Sequence, residues 1–193
     1  MKNRGNYALL LTLSCSLAVG GCASALNQVT DRPFQESKAQ PSIGTSLDDA
    51  KMDTLIAVNI KKAHPQLESA HVNVNSHNRM VLLTGEVPTE EMKTLAGDAA
   101  RRYQGAREVF NELQVRNNTT VLARTSDSWL TSKVSSRLVA EKGLNTRGVN
   151  VVVEDSVVYL MGPVSRRDAN RIATIASRIG GVQRVVKVFE YLD

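Results

Sequence analysis

The sequence predicts an α+β protein built from two tandem copies of one αββαβ unit, each a three-stranded mixed sheet with two helices on one face. An internal repeat carries this reading. Val72-Asn73-Val74 returns as Val149-Asn150-Val151, 77 residues later. Val81-Leu82-Leu83-Thr84-Gly85-Glu86-Val87 returns as Val158-Tyr159-Leu160-Met161-Gly162-Pro163-Val164 at the same interval, and Gly105-Ala106-Arg107-Glu108-Val109 as Gly181-Val182-Gln183-Arg184-Val185 after 76. Three blocks in one order at nearly constant spacing mark a duplication. The units span residues 48–116 and 126–193, with a linker at 117–125.

Each element follows from local pattern. An amphipathic helical period covers Leu47 to Ala63 and Ser128 to Lys142. A strand follows at His71–Asn75 and Val149–Val153, then a polar turn at Ser76–Arg79 and Glu154–Ser156, which places His77 in the turn. The second strand runs to Gly85 or Gly162, read as glycines that permit a tight exit toward the next helix. That helix opens at Thr89 or Ser165, hydroxyl residues suited to an N-cap, with Asp168 at capping-box spacing from Ser165. It ends at Gly105 or Gly180-Gly181, where a left-handed residue is wanted. A last strand alternates as Val109, Asn111, Leu113, Val115 and as Val185, Lys187, Phe189, Tyr191. Right-handed crossover makes it parallel to one of the hairpin strands. A unit of this size is marginal alone, so the two are expected to pack together.

The N-terminus places the chain. Met1-Lys2-Asn3-Arg4 is a basic start, and Tyr7–Val19 is an apolar run of 13 residues with five leucines. A membrane-spanning helix needs about 20, so the run reads as a signal peptide, residues 1–21. It closes on Val19-Gly20-Gly21-Cys22, which resembles the bacterial lipoprotein signal, in which the cysteine is acylated; Cys22 is the expected lipid attachment site. Cys15 fits the pattern less well, and an ordinary secretory signal is the alternative. Cys15 and Cys22 are the chain's two cysteines, so the folded part holds no disulfide and depends on packing. Residues 22–47, rich in Asn, Gln, Ser, Thr and Pro, read as a flexible tether with a reach of roughly 25–30 Å.

The Val-x-Leu-x-Gly-x-Val and Gly-Val-x-x-Val segments, in a helix-strand-strand-helix-strand order, resemble the BON domain family. Two such domains behind a lipoprotein signal are similar to the dual-BON outer-membrane lipoproteins. The resemblance implies a periplasm-facing protein that binds anionic phospholipid, chiefly through the second domain, and supports envelope integrity and cell division. Ala23 after the cysteine, where aspartate would signal retention, implies the outer membrane.

Charge separates the units. The formal net charge of +5 falls to about +3 once Lys2 and Arg4 leave with the signal, too mild to suggest nucleic acid. Residues 48–116 carry 9 basic and 10 acidic side chains; residues 124–193 carry 11 and 7. The second unit therefore suits an anionic surface, where each nearby basic residue contributes about 1 kcal/mol; drift of surface charge after duplication is the alternative. Trp129, the sole tryptophan, opens that unit's first helix. Leu130, Val134 and Leu138 form the sheet-facing stripe, and Trp129, Lys133, Arg137 and Ala140 lie along an adjacent face. An aromatic ring with cations at i+4 and i+8 suits a lipid headgroup layer; packing of Trp129 against the other domain is the alternative. The phospholipid-binding candidates are Trp129, Lys133 and Arg137, with Leu130 and Val134 as neighbours. Arg166-Arg167 could extend the patch.

No catalytic constellation is visible. His64, His71 and His77 all lie in the first unit, are not spaced i, i+4 on one helix, and have no cysteine partner, so no metal or other cofactor is expected. Asp48-Asp49 and Glu90-Glu91 read as acids favouring helix starts. The expectation is non-enzymatic binding of an anionic phospholipid membrane, with no small-molecule substrate. A periplasmic protein-binding adaptor or assembly-quality factor, and a peptidoglycan-associated structural protein, are the alternatives.

Overall fold

A computed structural model describes residues 43–116 and 121–192, with side chains from 48 and 125 onward. The signal, Cys22, most of the tether and the linker at 117–120 lie outside the described residues. The first unit comprises α1 (Ile43–Ala63), α2 (Pro65–Ser69), β1 (His71–His77), β2 (Met80–Val87), α3 (Glu90–Arg101), β3 (Glu108–Asn111) and β4 (Gln114–Val115). The second comprises α4 (Val121–Val139), β5 (Asn150–Glu154), β6 (Val157–Val164), α5 (Arg166–Ser177) and β7 (Arg184–Tyr191). Helices α1 and α4 start earlier than Leu47 and Ser128, inside the stretches read as tether and linker. No apolar period precedes those two residues, so the pattern could not mark the extra turns.

Helix α1 stops because His64 precedes Pro65, which disfavours the helical region; His64 is extended (φ −162°, ψ 144°). Its Nδ1 then accepts from Gln66 N–H at 3.2 Å, capping the short α2 that the sequence pattern did not reveal. Helices α3 and α5 start as expected. Thr89 Oγ1 accepts from Met92 N–H (3.2 Å) and Ser165 Oγ from Asp168 N–H (3.1 Å), with Glu90 and Glu91 in the first turn of α3.

Both sheets have the expected order. β1 and β2 pair antiparallel, with His77 opposite Met80 and His71 opposite Glu86, and β2 pairs parallel with β3. β5, β6 and β7 repeat the arrangement. Strand β1 continues through His77, so that residue ends a strand instead of sitting in the turn. The first unit's last strand is broken. Asn111 donates through Nδ2 to Lys93 O (2.7 Å) on α3 and accepts from Leu113 N–H, which interrupts the strand's pairing with β2 and divides it into β3 and β4. Gly85 and Gly162 lie within strands, not at an exit. At φ +108° and +119°, a Cβ would stand 2.0 Å from the carbonyl oxygen of His71 or Gly148 in the neighbouring backbone segment of the same unit.

The two hairpin turns are made without glycine. Asn78-Arg79 and Asp155-Ser156 all have positive φ, between 49° and 64°. Each turn is held by an aspartate from its unit's first helix. Asp49 accepts from Asn78 N–H (2.8 Å) and Arg79 N–H (3.1 Å), and Asp127 from Asp155 N–H (2.8 Å) and Ser156 N–H (2.9 Å). Asp49, read from sequence as a helix-start acid, is thus a buried turn clamp well inside α1.

Each sheet buries both faces. One packs under its helices, around Met52, Ile56, Ile60, Val81, Leu83 and Met92 in the first unit and Leu130, Val134, Val158, Leu160, Ile172 and Phe189 in the second. The opposite faces meet each other, with Leu82 of one sheet against Tyr159, Met161 and Val188 of the other. The layers therefore run helices, sheet, sheet, helices. Burying one such large side chain contributes about 1.5–3 kcal/mol relative to exposure.

Removing a turn clamp leaves two half-buried backbone donors without their anionic acceptor. Asp127→Ala is expected to lower stability by about 2–4 kcal/mol, read as a lower denaturant midpoint. Asp127→Glu should not restore it, because the longer chain misplaces both oxygens.

Candidate functional site

The outer face of α4 places the sequence-identified residues as follows. Trp129 is 60% exposed. Most of its ring is open to solvent, so it is not buried between the two units. Lys133 Nζ stands 4.6 Å from the Trp129 ring centroid and donates to Gly180 O at 2.9 Å, where α5 has just ended. The ammonium thereby fixes the indole to the second helix through a cation–π contact. Arg137, one turn further, donates to Glu141 at 2.8 Å and remains exposed. Val139 is also exposed.

Leu130 and Val134 depart from expectation. They are 3% and 0% exposed and belong to the core under α4, so neither can touch an external ligand without unfolding the helix from its sheet. A helix has one face for the sheet and another for solvent, and these residues are spent on the first. Arg166 also leaves the patch. Its guanidinium lies over the Tyr191 ring at 4.5 Å, at the opposite end of α5 from Gly180, about 16 Å away along the helix. What remains is an exposed ring braced by Lys133, with Arg137 beside it.

A second concentration of chemistry lies between the sheets and escaped the sequence reading. Asn73 donates to Glu154 at 2.7 Å, and His71 Nε2 lies 3.4 Å from the same carboxylate. Arg116 reaches both Glu86 (3.1 Å) and Asp155 (2.9 Å). Elsewhere on the interface Glu190 accepts from Arg107 (2.8 Å) and Asn78 (2.6 Å). The Arg107 hydrogen bond holds Glu190 below the usual carboxylate range despite partial burial. Burial, with the Glu112 charge adding to it, pushes the Tyr159 hydroxyl up to about 12. No spacing rule connects residues 71, 86, 116 and 154; strand alternation across a two-sided buried sheet does.

Behind β1, desolvation raises Asp53 to about 6, only partly offset by Ser76, with Asp49 adding repulsion. His77 is lowered by burial against the opposing pull of Asp49 and Glu190, and its Nε2 is buried without a hydrogen-bond partner.

A family model described as the BON domain matches residues 48–117 and 126–193. The chain is 35% identical over 185 residues to "Outer membrane lipoprotein DolP" of Haemophilus influenzae, covering 96% of each. It is 32% identical to "21 kDa hemolysin" of Actinobacillus pleuropneumoniae, covering 79% of this chain and 78% of the relative. It is 27% identical to "Osmotically-inducible protein Y" of Escherichia coli, covering 92% and 90%.

The Asp53 shift has a defined sign. Its folded value lies above the ordinary 3.8, so the native state holds the extra proton. The favourable contribution of the neutral carboxyl is present at low pH and is lost as pH rises through about 6. Asp53→Asn, which stays neutral, should therefore raise the thermal midpoint relative to wild type at pH 7.5 and lose that advantage at pH 4.5.

Proposed function

The chain belongs to the BON-domain family, as a dual-BON outer-membrane lipoprotein, and from that premise we propose that its second domain binds anionic phospholipid without catalysis. The outer face of α4 is the contact, with Trp129, Lys133 and Arg137 as the residues that make it. Among the described residues no helix is long and apolar enough to cross a membrane, so the proposed hold on the membrane is acyl attachment at Cys22. The acyl anchor fixes the compartment and the α4 face selects lipid composition or a membrane region, which is the proposed link to envelope integrity and the division site.

The observation that carries this reading is a 60% exposed tryptophan with an ammonium 4.6 Å from its ring. Leaving a large indole in water is unfavourable, and the hydrogen bond from Lys133 to Gly180 holds it there in a defined pose. At a headgroup layer the ring enters the interfacial region while the cations meet phosphates. The net positive second unit supports an anionic partner in particular. The relatives are named an outer membrane lipoprotein, a hemolysin and an osmotically-inducible protein, and none of these names states a chemical reaction.

Trp129 is its own probe. For a soluble form lacking the signal and Cys22, emission should shift to the blue with anionic vesicles and stay unchanged with zwitterionic ones. Lys133→Glu/Arg137→Glu reverses two charges; at about 1 kcal/mol each, affinity measured by co-sedimentation should fall at least tenfold, and 0.5 M salt should weaken wild-type binding. Absence of both the shift and co-sedimentation would leave a protein partner as the occupant of this face.

A further inference from the structure

The geometry points to a divalent transition-metal site between the two domains, with His71, Glu86 and Glu154 as ligands and Zn²⁺ as the ion its donor set suits. One ligand atom from each of the three lies within 4.8 Å of the other two. The His71 Nε2 to Glu154 Oε1 distance is 3.4 Å. Tetrahedral zinc with bonds of about 2.0–2.2 Å sets its ligands roughly 3.3 Å apart, so the His71–Glu154 pair already has that spacing and Glu86 closes in from within 4.8 Å.

Three further observations point into this cluster. Glu86 is fully buried; its Oε1 receives Arg116, but Oε2 has no hydrogen-bond partner. A buried carboxylate oxygen without a donor is costly, and a cation is what relieves it. Next, His71 Nε2 and Asn73 Nδ2 converge on the two oxygens of Glu154, at 3.4 Å from Oε1 and 2.7 Å from Oε2, so imidazole and carboxylate already face one point. An ion bound there takes the Nε2 lone pair and the Oε1 oxygen, while Asn73 keeps Oε2 in place. Charge agrees: the carboxylates of Glu86, Glu112, Glu154 and Asp155 outnumber the guanidinium groups of Arg116 and Arg184 around this part of the interface.

The ion has a way in and a structural consequence. A recess of about 240 Å³ lined by His71, Asn73, Ser128 and Thr131 opens onto Glu154. His71 and Glu86 belong to the first domain and Glu154 to the second, so coordination ties the sheets together at one edge. Imidazole with two carboxylates suits Zn²⁺ better than the all-oxygen shells of Ca²⁺ or Mg²⁺. Thr84, whose Oγ1 lies 3.4 Å from Glu154, is positioned to orient that ligand.

The test uses full-length, tag-free protein in detergent, stripped with chelator and titrated with Zn²⁺ alone. One ion per chain should bind, the thermal midpoint should rise, and Co²⁺ should give the strong visible absorption of a tetrahedral centre. Glu86→Gln and Glu154→Gln should each weaken binding at least tenfold; His64→Gln, remote from the cluster, should not. Lack of stoichiometric binding, or undiminished binding in both variants, overturns the proposal. If the variants do not fold, wild-type amide exchange decides: Zn²⁺ must slow exchange in both β1 and β5, and slowing in neither overturns it.

Discussion

The structure depends on one constraint: a three-stranded sheet with two helices has two faces to bury and only one cover. Each unit here is about 70 residues, a size at which a single core gives little margin. The remaining face is closed by the other unit's remaining face, through Leu82, Phe110, Tyr159, Met161 and Val188. The duplication is therefore a structural requirement as much as a repeat, because either sheet alone would expose an apolar surface. The same constraint directs function outward. With both sheet faces consumed, the broad surfaces left to solvent are the outer faces of the helices, and α4 is the one that carries an aromatic ring.

The polar side chains follow from the same arrangement. Strand residues that face the partner sheet alternate with those that face the helices, so residues 82, 84 and 86 share one surface. Leu82 sits at the apolar centre; Thr84 and Glu86 fall toward the edge, where Arg116, Asn73 and Glu154 meet them. Glu190 serves another part of the rim, accepting from Arg107 through Oε1 and from Asn78 through Oε2. Charged pairs at such a rim set the register of the two sheets more than they add to stability, since each carries a desolvation penalty.

Much of this was legible in the chain. The repeat offset fixed two units, and the apolar periods at Leu130, Val134 and Leu138 gave the buried side of α4, which in turn left Trp129 outside. The turn clamps were not legible, although Asp49 and Asp127 recur 78 residues apart, because an aspartate inside a helix carries no local mark of the hairpin it reaches. The break between β3 and β4 was hidden because Asn111 keeps the alternation while its amide bonds to α3. Gly85 and Gly162 were recognised as special, but their reason, a neighbouring carbonyl 2.0 Å from any added Cβ, lies across the sheet. The His71–Glu86–Glu154 cluster combines residues from three strands and both repeats, a juxtaposition that only the packing of sheet on sheet creates.

Divergence between the copies explains why that cluster occurs once. At the 77-residue offset His71, Thr84 and Glu86 correspond to Gly148, Met161 and Pro163, while Glu154 corresponds to His77. The packing is reciprocal: Glu154 and Gly85 line one recess, and the His77 Nε2 stands 3.3 Å from where a Cβ on Gly162 would be. Each hairpin end thus approaches the other unit's strand glycine. At one end the approaching residue is a carboxylate that meets imidazole and a second carboxylate; at the other it is an imidazole, and the corresponding positions offer a glycine, a methionine and a proline. At the second end Asp49 and Glu190 pull on His77 from a distance, but burial outweighs them and lowers it, and its Nε2 stays without a partner. Two copies of one scaffold, bound by the same apolar contact, have thereby acquired chemically different ends, just as α4 and not its counterpart α1 has acquired an aromatic ring braced by a lysine.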